Sequence, residues 1–185
     1  MNQTNSNKSA SPTVRLAKMG MLVAISVVLV YLIHFPIFPA VAFLEYDPAD
    51  IPILIGTFAF GPLAGVLLTV VTAIIQGVTV SAASGVYGIL MHIIATSALV
   101  ITAGLIYSRN KTRKSAIIAI LCGVAAMTII MIGANMVITP IFMGVPRAVV
   151  WQLMPFTAGF NAINAGINGL VTFLVYKRIS GFLHR

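Results

Sequence analysis

A long uncharged stretch, residues 51–80, constrains this chain more than any other sequence feature. As one continuous helix these thirty residues would be about 45 Å long, too long for one bilayer crossing and short for two. Charged residues make up only 8% of the chain, against roughly a quarter in an ordinary soluble domain. The chain is therefore predicted to be a membrane protein with little room for a water-soluble domain.

Four other apolar stretches are each long enough for one membrane-spanning helix, which needs about 20 residues. They cover residues 13–34, 83–107, 116–138 and 157–176. Residues 1–12 are mostly polar and rich in Asn, Ser and Thr. We therefore predict a disordered cytoplasmic leader over residues 1–12 and a single transmembrane domain over residues 13–185.

Charge placement decides how often residues 51–80 cross the membrane. If the stretch breaks at Gly61-Pro62 and crosses twice, ten of the eleven Lys and Arg residues share one side and only Arg147 lies on the other. A single crossing would put the basic segment 109–114 opposite the basic leader, against the positive-inside rule. The prediction is an all-α protein of six transmembrane helices with both termini in the cytoplasm. Its second helix is expected to be short, and tilted or partly buried in the bundle.

The motifs of common catalytic sites do not occur in this sequence. It has no phosphate-binding loop, no His-Glu-x-x-His zinc motif and no Gly-x-Ser-x-Gly nucleophile motif. The predicted spans also carry charges only near their ends, whereas ion-coupled transporters usually have charges within them. We expect no enzyme activity, no cofactor and no metal, and we expect another chain to supply the energy for any transport.

The distribution of basic residues and cysteine excludes two further classes of site. The basic residues form short clusters between apolar stretches, as in cytoplasmic loops, and not the single stripe that binds nucleic acid. Cys122 is the only cysteine, so the chain can form no internal disulfide and no cysteine-based metal site. We interpret it as a small buried hydrophobe.

Neutral amides cluster toward the predicted extracellular side of the spans. Asn161, Asn164 and Asn168 lie on one face of the last helix, and Asn135 lies near the outer end of the fifth. An amide buried in the membrane must bind either a neighbouring helix or a ligand. A ligand role is favoured for Asn135 and Asn161, whereas for Asn168 the two roles are equally weighted. Gln76 is undecided between the pocket and an interhelical bond.

Two extracellular segments rich in proline and aromatic residues suit a lid over an apolar, partly flat ligand. The first, residues 34–47, offers Phe43 and Leu44 as candidate contacts. The second is the loop 140–146, part of a broken segment predicted over residues 139–155.

Other polar and aromatic residues near the predicted extracellular side have two possible roles each. Asp47 and Asp50 are interpreted mainly as turn and N-cap residues, with ligand contact as the alternative. His92 is interpreted mainly as a hydrogen-bonded packing residue, with ligand contact as the alternative. Trp151, with Phe142 and Phe156 nearby, suits either an interfacial aromatic belt or part of the lid.

These segments resemble the substrate-binding S components of energy-coupling-factor (ECF) vitamin transporters, and within them the riboflavin-type group. The resemblance covers nearly the whole chain from Arg15 onward. Its most specific segments are 44–65 (LEYDPADIPILIGTFAFGPLAG), 125–128 (AAMT), 139–146 (TPIFMGVP) and 165–169 (AGING).

The resemblance implies a six-helix protein of the bacterial cell membrane that captures a vitamin at the extracellular face. Such proteins work with a separate transmembrane T component and two ATP-binding subunits, which agrees with the missing phosphate loop. Family members dock on the T component through two small residues, four positions apart, in the first helix. Gly20 and Ala24 occupy those positions here, and small residues at this spacing allow close helix packing in lipid.

One departure from the family pattern concerns the ligand. Riboflavin-type members often read Pro-Phe-Asn-x-x-Lys-Ala-Gly-Ile-Asn in the last helix, where the first Asn and the Lys contact the vitamin. This chain keeps that Asn as Asn161 but has Asn164 in place of the Lys, which neutralises and enlarges the expected pocket. The candidate ligand contacts are Phe43, Leu44, Gln76, Asn135, Asn161 and Asn164.

Riboflavin is the expected ligand because neutral amides suit its flat ring system and polyhydroxyl tail. A bulkier vitamin such as a cobalamin is the alternative within the family. A membrane assembly subunit that binds no ligand is the alternative outside it.

Overall fold

The computed structural model describes residues 12–183, with side chains through Tyr176 and at Arg178. Residues 1–11 of the predicted leader lie outside the described residues, and Pro12 already belongs to the first helix. The described chain is built from six α-helices and two short 3-10 turns. The helices are α1 Pro12–Leu32, α2 Asp50–Phe60, α3 Pro62–Val78, α4 Gly85–Arg109, α5 Arg113–Met143 and α6 Arg147–Leu183.

Two of the six helices, α2 and α3, are shorter than the other four. α1, α4, α5 and α6 are long and apolar enough to cross a membrane. α2 and α3 have 11 and 17 residues, which corresponds to about 17 Å and 26 Å of helix. α2 is nearly all buried from Pro52 to Phe58 and packs against α1, α3, α4 and α6. The prediction of a short second helix buried in the bundle is confirmed.

The predicted break at Gly61-Pro62 is also confirmed. Gly61 has a φ of 95°, a left-handed conformation that favours glycine, and its N–H donates to Thr57 O to end α2. Pro62 then begins α3, where a missing N–H costs little. Gly104 of α4 lies against this junction, because a Cβ there would come within 2.8 Å of the Pro62 Cβ.

Contacts among helix ends define one end of the bundle. Arg15 in the first turns of α1 donates to Phe60 O over 3.0 Å. The ring of Phe58 in α2 lies 4.5 Å from that of Tyr107 in α4 and 5.5 Å from that of Tyr176 in α6. The start of α1, the α2–α3 junction, the α4–α5 loop and the last part of α6 therefore lie at one end. The loop between α1 and α2 lies at the other.

The prediction of a broken segment over residues 139–155 is wrong. α5 continues through Pro140 to Met143, α6 begins at Arg147, and only residues 144–146 connect them. A proline removes one helical hydrogen bond, but neighbouring helices in a bundle can keep the helix continuous. The end of α5 is set instead by Gly144, a left-handed residue whose N–H donates to Pro140 O.

Cys122 also differs from its interpretation as a buried residue, because its side chain is exposed on α5. In a membrane protein the outer face of a helix meets lipid, so an apolar sequence around a residue does not require burial inside the protein.

Candidate functional site

A pocket opens at the end of the bundle opposite Arg15. Its empty space, together with the solvent in its open mouth, amounts to about 1110 Å³. The loop between α1 and α2 and the facing parts of α3, α4, α5 and α6 form its walls. All six residues that the sequence predicted as ligand contacts line it: Phe43, Leu44, Gln76, Asn135, Asn161 and Asn164.

Asn135 of α5 and Asn161 of α6 are held by bonds within their own helices. Asn135 Nδ2 donates to Met131 O over 2.8 Å, and its Oδ1 accepts from Thr139 Oγ1 over 2.8 Å. Asn161 Nδ2 donates to Thr157 O over 2.8 Å. Neither amide binds another helix in the described part of the chain, so both side chains are positioned at the pocket wall by their own helix.

Asn164 and Asn168, one turn apart on α6, bind the loop between α1 and α2. Asn164 Oδ1 accepts from the Asp47 N–H over 3.0 Å. Asn168 Oδ1 accepts from Tyr46 Oη over 2.8 Å, and its Nδ2 donates to Asp47 O over 2.6 Å. Asn168 is fully buried and does not line the pocket. Of the two roles weighed for Asn168, the structural one is observed, although its partner is a loop and not a helix.

Tyr46 remains a hydrogen-bond donor in this arrangement. Burial raises the pKa of its phenol, and the neighbouring carboxylates of Asp47 and Asp50 raise that pKa further. Because the phenol stays protonated, it can donate to Asn168 at any physiological pH.

Asp47 connects the loop to α3 and α4. Its Oδ2 accepts from Gln76 Nε2 over 2.6 Å and lies 3.2 Å from His92 Nδ1, while its Oδ1 accepts from the Ala49 N–H over 2.7 Å. Burial by itself would raise the pKa of Asp47, but the interactions with His92, Gln76 and the Ala49 N–H outweigh it and hold that pKa below its ordinary value. The loop is therefore fixed to the pocket wall by an ionised carboxylate.

The capping interpretation is correct for one of the two aspartates. Asp47 makes the expected turn bond to the Ala49 N–H. Asp50 does not cap α2, since it is the first residue of that helix and the helix has no side-chain cap. Its Oδ1 instead accepts from Thr96 Oγ1 of α4 over 2.7 Å. The cause is burial: Asp50 is only 1% exposed, and a buried carboxylate must bind the donor that faces it.

Aromatic side chains from the loop, α4 and α5 meet at the pocket. The Phe142 ring of α5 lies 6.3 Å from the Phe43 ring and 5.6 Å from the Tyr87 ring. All three line the pocket. Trp151 does not line it and is 62% exposed on α6. The position of Phe142 in the pocket lining thus favours a role in a lid, whereas the exposed position of Trp151 favours a role in an interfacial belt.

Comparisons with known proteins agree with this architecture. The family model for the substrate-specific component of ECF transporters matches residues 14–176. The chain belongs to this family. It is thus a multi-pass membrane protein and a subunit of a transporter, not a member of an enzyme family.

Two curated relatives and one solved structure resemble this S component. The riboflavin transporter RibU of Staphylococcus aureus is 29% identical over 182 residues, which is 92% of this chain and 93% of that protein. The riboflavin transporter FmnP of Bacillus subtilis is 30% identical over 126 residues, 67% of this chain and 65% of that protein. The solved S component of a bacterial ECF transporter is 29% identical, with a TM-score of 0.80 over 94% of this chain and 99% of that one.

Gly20 and Ala24 of the S component lie on α1, away from the pocket. Both are exposed, and nothing lies within 4 Å of a Cβ built on Gly20. This face of α1 is therefore not used for packing inside the described bundle.

Sequence reasoning missed the part of the pocket that depends on contacts between distant residues. The sequence favours a turn role for Asp47 and a packing role for His92, yet the two side chains meet at the pocket wall. Tyr46 and Tyr87 were not singled out. The signal that was available for Asp47 and His92 is chemical: a carboxylate and an imidazole in an otherwise apolar bundle need partners.

Proposed function

We propose that this S component captures riboflavin at the extracellular face of the membrane. The observation that carries the proposal is the pocket itself, whose wall combines neutral amides with aromatic rings. Aromatic rings can stack on a flat ring system, and amides can bind both its polar edge and a polyhydroxyl tail. The two curated relatives, which match 92% and 67% of this chain, are riboflavin transporters by name. Their names support riboflavin as the ligand of this chain.

The proposed topology has six membrane-spanning helices and both termini in the cytoplasm. Arg15 and the basic loop 109–114 lie at one end of the bundle, whereas Arg147 begins α6 at the other. This distribution supports a cytoplasmic end near Arg15 and an extracellular pocket. α2 and α3 are short, but α2 is enclosed by four helices, so its polar ends need not reach both membrane surfaces.

The six pocket residues are proposed as ligand contacts, with Asn135 and Asn161 as the main polar ones. Asn164 stands where riboflavin-type sequences often have a lysine, and its bond to the Asp47 N–H supports an additional role in holding the loop. The amides and aromatic rings that line the pocket argue against a subunit without a ligand. A cobalamin remains the alternative ligand for a widened pocket.

The proposed partners are a transmembrane T component and two ATP-binding subunits. The sequence has no phosphate-binding loop, so energy for uptake comes from those subunits. The exposed face of α1 that carries Gly20 and Ala24 is proposed as the docking surface, since small residues on it allow close approach of a second helix.

Quenching of flavin fluorescence by the purified protein tests the ligand. One riboflavin should bind per chain, and Asn135→Leu and Asn161→Leu should each weaken binding by about 1–3 kcal/mol, the cost of an unsatisfied polar partner. Asn110→Leu, the same change at an exposed position at the other end of the bundle, should bind like the wild type. Absence of riboflavin binding at high micromolar concentration would overturn the ligand, and binding of a cobalamin instead would replace it.

A further inference from the structure

The charged side chains of this protein are divided between the two ends of the bundle. All three acidic side chains line the pocket at one end: Glu45, Asp47 and Asp50. At the other end, four of the six residues 109–114 are cations, and all four are exposed: Arg109, Lys111, Arg113 and Lys114. No acidic side chain of the chain therefore lies at this end to neutralise them.

The fold does not place these cations for its own stability. Arg113 and Lys114 begin α5, and the start of a helix is the positive end of its dipole, where cations are disfavoured. The turn before α5 is held by neutral groups instead: Thr112 Oγ1 accepts from the Ser115 N–H over 3.2 Å, and Ser115 Oγ donates to Ile106 O over 3.4 Å. The cations thus lie on an ordered turn, and their charge is balanced by anions from outside the chain.

Exposed apolar side chains continue from these cations along both helices. Leu105 lies one turn before Arg109 on α4 and is 49% exposed. On α5, Ile118 and Leu121 follow Lys114 on one face and are 54% and 63% exposed. A phospholipid has the matching pattern of a charged headgroup and apolar chains. A soluble anion or an acidic loop of another protein would match the cations alone.

We propose that the α4–α5 surface, formed by residues 109–114 with Leu105, Ile118 and Leu121, binds an anionic phospholipid. The headgroup phosphate lies against the cations, and the acyl chains lie along α4 and α5. Clusters of Lys and Arg directly beside membrane-spanning helices attract anionic lipids in this way. The surface is distinct from α1, which packs on α2 and α3. Its assignment to the cytoplasmic leaflet rests on the proposed topology, whereas lipid binding itself rests on these residues.

The first test is native mass spectrometry of the detergent-purified full chain with equal amounts of phosphatidylglycerol and phosphatidylcholine. At low salt the wild type should retain phosphatidylglycerol at least about fivefold more often than phosphatidylcholine. Replacing all four cations by Gln should bring this ratio close to one. The smaller variant Arg113→Gln/Lys114→Gln should give an intermediate ratio, and it decides the test if the fourfold variant does not fold by circular dichroism.

Two control variants show whether charge at this surface sets the ratio. Arg109→Lys/Arg113→Lys keeps both charges and should keep the wild-type ratio. Arg147→Gln removes an exposed cation at the opposite end of the bundle and should keep it as well. Equal retention of the two lipids by the wild type would overturn the proposal. So would a wild-type ratio in a folded Arg113→Gln/Lys114→Gln variant.

The second test separates a phospholipid from other partners by thermal unfolding of the purified full chain. Phosphatidylglycerol should raise the unfolding temperature of the wild type but not that of the fourfold variant. Glycerol 3-phosphate at the same concentration has a phosphate without acyl chains and should have no effect. An equal rise with glycerol 3-phosphate would replace the lipid by a soluble anion. Loss of T-component binding by the fourfold variant, with an unchanged lipid ratio, would replace it by a protein partner. Neither test uses the vitamin, so failure of the proposed ligand would leave both results unchanged.

Discussion

Replacing Asn168 by Leu tests whether this amide holds the loop that covers the pocket. The substitution preserves approximate side-chain volume but removes two hydrogen bonds, one from Tyr46 Oη and one to Asp47 O. Asn168 is fully buried and Tyr46 is 8% exposed, so water cannot easily replace the lost partner. Each unsatisfied group costs about 1–3 kcal/mol. Allowing for relaxation of the loop, the expected loss of folding free energy is about 2–4 kcal/mol.

The assay is thermal unfolding of the detergent-solubilised protein, combined with the riboflavin titration. Asn168→Leu should unfold at a lower temperature and also bind more weakly, since Phe43 and Leu44 belong to the same loop. Tyr46→Phe should cost less, because it removes only one of the two bonds. The double variant should be less destabilised than the sum of the two single ones, because Tyr46 and Asn168 share a bond.

Asn110→Leu serves as the matched control, because it makes the same chemical change at an exposed position. It should have the stability and affinity of the wild type. Wild-type stability and affinity of Asn168→Leu would refute the reasoning, since the loop would then be held without this amide. Strictly additive effects of the two substitutions would show that the bond between Tyr46 and Asn168 carries no energy.

Three further predictions concern the docking face, the topology and the acid stability. Gly20→Leu and Ala24→Leu should each abolish ATP-dependent uptake in cells with the T component and ATPases. The isolated variants should bind the vitamin normally. Loss of vitamin binding as well would mean that this face packs inside the bundle. In an otherwise cysteine-free chain, an impermeant thiol reagent added to intact cells should label Ala148→Cys but not Lys111→Cys, and the reverse pattern would invert the topology. Burial by itself would raise the pKa of Asp47, but its bonds outweigh burial and hold that pKa below its ordinary value of 3.8. The stabilisation of the folded state by Asp47 is therefore present above pH 3.8 and is lost as the pH falls below it. Asp47→Asn should reduce this loss of stability in acid, as measured by thermal unfolding scans.

The sequence by itself determined the elements and their order. The uncharged stretch 51–80, the Gly61-Pro62 pair and the basic clusters were enough to predict two helices here, a short second helix and the break between the two. These features act locally: a left-handed glycine and a proline at a first turn need no distant partner. The periodicity of α6 likewise put Asn161, Asn164 and Asn168 on one face. The same local reasoning failed at Pro140, because a proline stops a helix only where packing does not compensate.

Only the tertiary structure decided what the polar residues do. Nothing in the sequence around Asn164 and Asn168 distinguishes an amide that faces a ligand from one that holds a loop 117 to 122 positions away. The same is true of Asp47, whose partners Gln76 and His92 lie on two other helices. A hydrogen bond depends on atoms meeting within about 3 Å, and such distances arise from the packing of whole helices, which residue type and spacing along the chain do not encode. Glu45, Asp47 and Asp50 are already close together in the sequence, and the fold decides that all three line the pocket.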